Sequence, residues 1–198
     1  MKRQLDLTTL VGSRICHDLI RPLGAISNGV ELMGMTGSVE GPEMALISES
    51  AENANARIKF FRIAYGAAAE GQNLGRSEVT STLAATARGG RLSYHWRAEG
   101  EQPRREVRLA FLLLQCFENA MPYGGEITIS RDGNKWELVG ESDRMKIDEN
   151  LWESLINPRL RPNIRAAEVQ FALLPQVLEE SGRSLALKLD TAQITARF

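Results

Sequence analysis

Cysteine and histidine are both scarce in this chain, with two of each among 198 residues. Cys16 and Cys116 lack CxxC spacing, which argues against a disulfide scaffold or a thiolate zinc cluster. His17 and His95 lie far apart with no cysteine group beside either, so a metal site lacks its ligands. No apolar run approaches the ~20 residues needed to cross a bilayer. The start MKRQLDLTTL has a charged pair but no apolar stretch that would read as a signal peptide. Neither charge is in excess: 24 Lys and Arg stand against 25 Asp and Glu, net −1, which gives no footprint for nucleic acid or an acidic membrane surface. Internal repeats and low-complexity segments are missing too. The expectation is a soluble cytoplasmic protein with no nucleic-acid or membrane partner. What is present is core material, 43% apolar residues, enough for one or two small domains.

Residues 1–70 read as a unit. Val11, Ile15, Leu19, Pro22, Ile26, Val30 and Met33 recur at steps of three and four, one stripe along a helix from Leu5 to about Met35. Pro22 lies within the stripe and should bend the helix just after His17. The stretch GMTGSVEGP supplies a loop, and its Pro42 can open a second helix. That helix carries Met44, Ile47, Ala51, Ala54, Ile58, Phe61, Tyr65 and Ala68 in a coiled-coil-like seam. A lone helical hairpin buries too little, so two copies pairing into a four-helix bundle is the favoured expectation. Packing against the chain's own second half is the alternative.

His17 is two positions from both Ile15 and Leu19, about 200° around the helix from each, and so points away from the stripe. A core-packing histidine is disfavoured there. Periodicity leaves an ordinary surface histidine and a functional one equally open. An exposed imidazole is largely uncharged at neutral pH, so one ring nitrogen keeps a lone pair for attack on phosphorus. Asp18 can accept the other nitrogen's N–H, hold the tautomer and raise nucleophilicity. Arg14 and Arg21 flank His17 one turn away on either side and can neutralise a transferring phosphoryl group, or serve as plain solvated charges.

GQNLG at 71–75 reads as a linker. Beyond it the pattern predicts a helix near Ser77–Arg88 capped by Ser77, a strand near Arg91–Ala98, and a strong helix over Pro103–Met121. Two strands follow around an Asp-Gly turn at Asp132 and Gly133. A helix over Ile164–Ser181 interrupted by Pro175 comes next, then two closing strands, SLALKLD and QITARF. Helices with antiparallel strands in this mixture give an α+β class: the hairpin, then an α/β sandwich over 71–198.

Ser13, Arg14, His17, Asp18, Leu19, Pro22 and Leu23 together resemble the H-box of two-component histidine kinases. The order of the following elements resembles the ATP-binding domain of those kinases, the Bergerat or GHKL fold. In that alignment Asn119 falls on the magnesium-ligating asparagine, with Pro122 where a lysine is usual. Glu141 takes the place of the adenine-binding acid, and Asp143 and Met145 replace two glycines. The run RPNIRAAEVQFALLPQVLEESG has no glycine before Gly182. Glycines allow a backbone to approach phosphates closely, and their replacement fills the triphosphate's place.

An intact hairpin histidine beside a degenerate ATP domain resembles the ChpT-type histidine phosphotransferases. The resemblance implies a dimeric phosphorelay intermediate. His17, with Asp18 and Arg21, would accept phosphoryl from the receiver aspartate of a hybrid kinase and pass it to response regulators like CtrA and CpdR. Arg14, Ile20, Gly24 and Asn28, along the same helix, are the expected phosphoryl- or partner-binding positions. No ATP, resident metal or other cofactor is expected; magnesium belongs to the partner receiver domains. An ATP-dependent kinase fragment and a non-catalytic dimeric interaction module are the alternative readings.

Overall fold

The computed structural model describes residues 6–36, 42–157, 159–160 and 162–198. Its first element is the long helix α1, Leu7–Thr36, whose entrance is closed by Asp6: one carboxylate oxygen accepts from the Thr9 N–H and the other from the Thr9 hydroxyl. α1 continues unbroken through Pro22. The second helix, α2, is Pro42–Ala64 and opens on proline as expected; Leu5 and the loop residues 37–41 lie outside the described residues. The two helices pack closely where α1 offers no side chain. A Cβ on Gly29 would lie 2.5 Å from Ile47 Cγ1, so glycine lets α2 approach.

Most of the α1 stripe faces inward. Val11, Ile15, Leu19, Ile26 and Met33 are half-buried and Pro22 is buried, but Val30 is exposed. In α2 the seam divides: Ala54 and Phe61 are buried, whereas Met44 and Ile58 are exposed. The helix stops at Ala64, so Tyr65 and Ala68 lie beyond it.

The expected linker is pinned rather than loose. Asn73–Leu74 (β1) pairs with Gln102–Pro103 (β3), and Leu74 is buried in the core. Between them lie α3, Arg76–Ala87, and β2, Leu92–Trp96. α3 begins one residue earlier than its sequence suggests, with Gly75 in the cap position and no side-chain cap from Ser77. Then come α4 (Arg104–Ala120), β4 (Gly125–Asp132), β5 (Lys135–Glu141), α5 (Glu149–Ser154), a 3₁₀ turn (Ala166–Glu168), α6 (Val169–Glu180), β6 (Ala186–Leu189) and β7 (Gln193–Arg197). Pro175 lies inside α6 without interrupting it, a correction to the expected break. The hairpin loop between β4 and β5 is Gly133-Asn134, one residue later than expected, and Gly133 takes φ +55° at its first position.

The main sheet has the order β2-β4-β5-β7-β6. β2 and β4 are parallel, joined by the crossover through α4, and the other pairs are antiparallel; an all-antiparallel sheet was the expectation. α4 is buried on every side from Leu109 to Phe117, Gln115 included, because the sheet, α2 and α6 all pack on it. The approach to the sheet is tight: a Cβ on Gly140 of β5 would meet Phe117 Cδ1 at 2.4 Å. The class is the expected α+β, a helical hairpin followed by an α/β sandwich.

Candidate functional site

His17 stands on the outer face of α1 with its side chain 78% exposed. Its Nδ1 lies 3.2 Å from Asp18 Oδ1. An ionised carboxylate only accepts, so this contact selects the tautomer with the proton on Nδ1 and a lone pair on Nε2. Among the described residues Nε2 has no protein partner and faces solvent.

Asp18 is far less accessible, at 15%, and is held from its other side. Arg14 Nε donates to Asp18 Oδ2 at 2.9 Å, and Arg14 Nη1 donates to the backbone carbonyl of Ala167 at 2.6 Å. The Arg14 side chain is only 13% exposed. Arg14, Asp18 and His17 therefore form one chain of hydrogen bonds from the 3₁₀ turn of the sandwich to the exposed imidazole. Leu10 and Ile15 of α1 pack against the same core.

The remaining expected positions lie along the face of His17. Arg21, Ile20, Gly24 and Asn28 are all exposed; Arg21, Gly24 and Asn28 follow His17 at steps of about one turn, and Ile20 stands beside Arg21. Nothing lies within 4 Å of the place a Gly24 Cβ would occupy. The structure brings Asp18 to His17 and sets Arg14 behind Asp18, while Arg21, Ile20, Gly24 and Asn28 continue along the same helix as open surface. The Ala167 carbonyl is the contributor that sequence reasoning missed, since any residue supplies a carbonyl.

The junction between hairpin and sandwich has a second polar tie. The Tyr65 hydroxyl donates to Gln115 Oε1 at 2.5 Å, and Gln170 Nε2 donates to the Gln115 carbonyl at 3.3 Å. Burial pushes the Tyr65 hydroxyl well above its ordinary pKa and keeps it a donor. Cys116 is buried next door, its thiol likewise pushed up by burial, whereas Cys16 is exposed.

In the region aligned with a nucleotide site, the segment after β5 is tied back to the end of α4 and the turn that follows it. The Lys146 N–H donates to the Ala120 carbonyl at 2.8 Å, and the Ser142 hydroxyl donates to the Gly124 carbonyl at 2.7 Å. Met145 and Ile147 pack against the core, and the Arg144 guanidinium lies 4.4 Å from the Tyr123 ring centroid. Beneath, Trp152 of α5 sits edge-on between Phe117 and Phe171, at centroid distances of 5.6 and 5.8 Å. Asn119 is half-buried, and Glu141 is exposed, accepting from Gln193 Nε2 at 2.9 Å. Among the described residues no group of three or more His, Cys, Asp or Glu is placed to hold a metal ion, and no helix is long and apolar enough to cross a membrane.

An exposed histidine on a hairpin helix, backed by an aspartate and joined to an α/β sandwich, defines a class that sequence comparison makes specific. The chain belongs to the family described as the histidine phosphotransferase C-terminal domain, which it matches over residues 76–193. It is 39% identical over 134 residues to the protein phosphotransferase ChpT of Brucella abortus strain 2308. That alignment takes in 66% of this chain and 63% of the relative, so it spans less than two thirds of the relative's length. A bacterial phosphotransferase solved at 1.7 Å superimposes over 100% of this chain and 97% of its own, with a TM-score of 0.82 and 28% identity.

Proposed function

We propose that this chain is a histidine phosphotransferase of a bacterial phosphorelay, with His17 as the phosphoryl carrier. The observation that carries the proposal is the His17 imidazole, exposed at Nε2 and held at Nδ1 by Asp18. Family membership supports the same reading. In the proposed step the Nε2 lone pair attacks the aspartyl phosphate of a receiver domain. The P–O bond to the receiver carboxylate breaks and a P–N bond forms, while the proton stays on Nδ1. Positive charge develops on the ring as Nε2 donates its pair, and the Asp18 carboxylate offsets it. Run backward onto a second receiver aspartate, the same step delivers the phosphoryl group. Magnesium is supplied by the receivers, whose own acidic sites hold it.

Arg21 is proposed to stabilise the phosphoryl oxygens in flight, since a guanidinium has five donors and no acceptor. For the same reason it cannot aim a water as nucleophile, so the protein should move phosphate rather than hydrolyse it. Ile20, Gly24 and Asn28 form the surface on which a receiver docks. Donor and acceptors are proposed to be the receiver of a hybrid kinase and regulators of the CtrA and CpdR kind.

Two further parts belong to the proposal. Leu23, Val30 and Ile58 are exposed on the hairpin although apolar, and a second copy covering them would complete a four-helix bundle. The sandwich binds no ATP, a reading supported by the replaced glycines and by Met145 and Ile147 packing against the core. Mixing the chain with a receiver carrying radiolabelled phosphoryl tests the whole. Label should move to the wild type, and none to His17→Ala. Label on His17→Ala, or none on the wild type with any receiver of the relay, overturns it.

A further inference from the structure

We infer that Arg14 is a positioning residue, which binds no phosphoryl group but ties the nucleophile on α1 to the sandwich. The inference rests on the proposed role of His17. Asp18 follows His17 directly, so the two side chains leave α1 about 100° apart. The Asp18 carboxylate reaches back to Nδ1 only in the right rotamer. An Arg14 to Asp18 pair on a free helix is a weak device for choosing one: the cation precedes the anion, the less favourable order for the helix dipole, and water competes for both.

The sandwich supplies what the helix lacks. Arg14 splits its fork between Asp18 Oδ2 and the Ala167 carbonyl, and the side chain is nearly covered. With Arg14 fixed at both ends, Asp18 Oδ1 is left aimed at His17. The Ala167 carbonyl is itself held in place. It belongs to the 3₁₀ turn whose ends are joined by Arg165 and Glu168, with the Arg165 N–H and guanidinium both donating to the Glu168 carboxylate. Arg165 and Glu168 also line an open cleft beside α5, together with Asp148 and Leu151. The sandwich thus sets the geometry of a histidine with which, among the described residues, it shares no hydrogen bond. Arg21, exposed on the other side of His17, is the arginine left facing an incoming receiver.

The test compares Arg14→Gln, Asp18→Asn and the double variant in single-turnover transfer from a phosphorylated receiver, with ¹⁵N shifts of the His17 ring read separately. Arg14→Gln should slow transfer roughly tenfold or more, the range typical of groups that orient a reacting ligand. Because Arg14 acts through Asp18, the double variant should be no slower than Asp18→Asn. Arg14→Lys keeps the charge but cannot span both acceptors, and should recover only part of the rate. It replaces Arg14→Gln if that variant does not fold. The ¹⁵N shifts should show Nδ1–H preferred in the wild type and a weaker preference in Arg14→Gln. Effects that multiply in the double variant would place Arg14 on the phosphoryl group and overturn the inference. So would an unchanged tautomer preference or a wild-type rate in Arg14→Gln. A wild type that accepts no phosphoryl sinks the proposed function instead, and the ¹⁵N comparison still decides whether Arg14 positions the ring.

Discussion

The hairpin and the sandwich divide labour in opposite ways. The sandwich buries most of its apolar residues: α4 is enclosed from Leu109 to Phe117, and the Trp136 ring lies between Trp96 and Phe198 in the core. The hairpin leaves Ile20, Leu23, Val30 and Ile58 in solvent and places its histidine among exposed residues. A packed domain has little surface that must be covered, whereas the hairpin's open apolar face calls for company. The proposed chemistry sits on the part with the open apolar face, and the Arg14 tie to Ala167 comes from the packed part.

Substitutions to aspartate within α2 break that contrast most severely. Phe61 is 4% exposed and packs edge-on against Phe60 and close to Tyr65, so Phe61→Asp buries a charge in the chain's own core. It should cost several kcal/mol and unfold the protein, visible as loss of the cooperative thermal transition. Ile58 is 50% exposed, and Ile58→Asp should keep the fold while halving the mass seen by light scattering. An Ile58→Asp protein of unchanged mass would separate the open face from dimer formation.

Next in size is Trp152→Ala. Removing the ring between Phe117 and Phe171 should destabilise the protein by about 3–5 kcal/mol in a urea titration. His17→Ala, on the exposed face of α1, should shift the same curve by less than about 0.5 kcal/mol. A large His17 effect would mean that the imidazole serves packing.

A pH-dependent effect, smaller than that of Trp152→Ala, concerns Glu168, whose carboxyl the Arg165 hydrogen bonds hold below the usual carboxylate range. A lowered folded-state pKa stabilises above the unfolded value, near 4.5, and that contribution is lost as pH falls through the folded value. Glu168→Gln should therefore cost roughly 1–2 kcal/mol at pH 7, and the gap to the wild type should close below pH 4.5. A gap that stays constant down to pH 3 would show that the turn does not depend on this ionised pair.

Much of this division was readable from spacing. Steps of three and four residues located both hairpin helices and turned His17 outward, because helical geometry is local. The expected break at Pro175 failed because α6 packs on α4, and tertiary burial outweighs one missing N–H. α5 escaped notice because six residues are too few for periodicity; its one signal is Asp148, which accepts from the Leu151 N–H. The parallel pairing of β2 with β4 depends on the path of α4 and leaves no mark on either strand. Arg14 shows the same limit at the site. Its pairing with Asp18 follows from i,i+4 spacing, but its bond to a backbone carbonyl 153 positions away carries no residue identity to read.

The central claim is that Nε2 of His17 carries phosphoryl while Nδ1 keeps its proton against Asp18. Phosphorus NMR of the chain after reaction with a phosphorylated receiver, combined with mass-spectrometric mapping, tests it most directly. The account predicts a single acid-labile phosphoramidate at Nε2 of His17. Phosphate on Nδ1, on another residue, or in an acid-stable ester would contradict it.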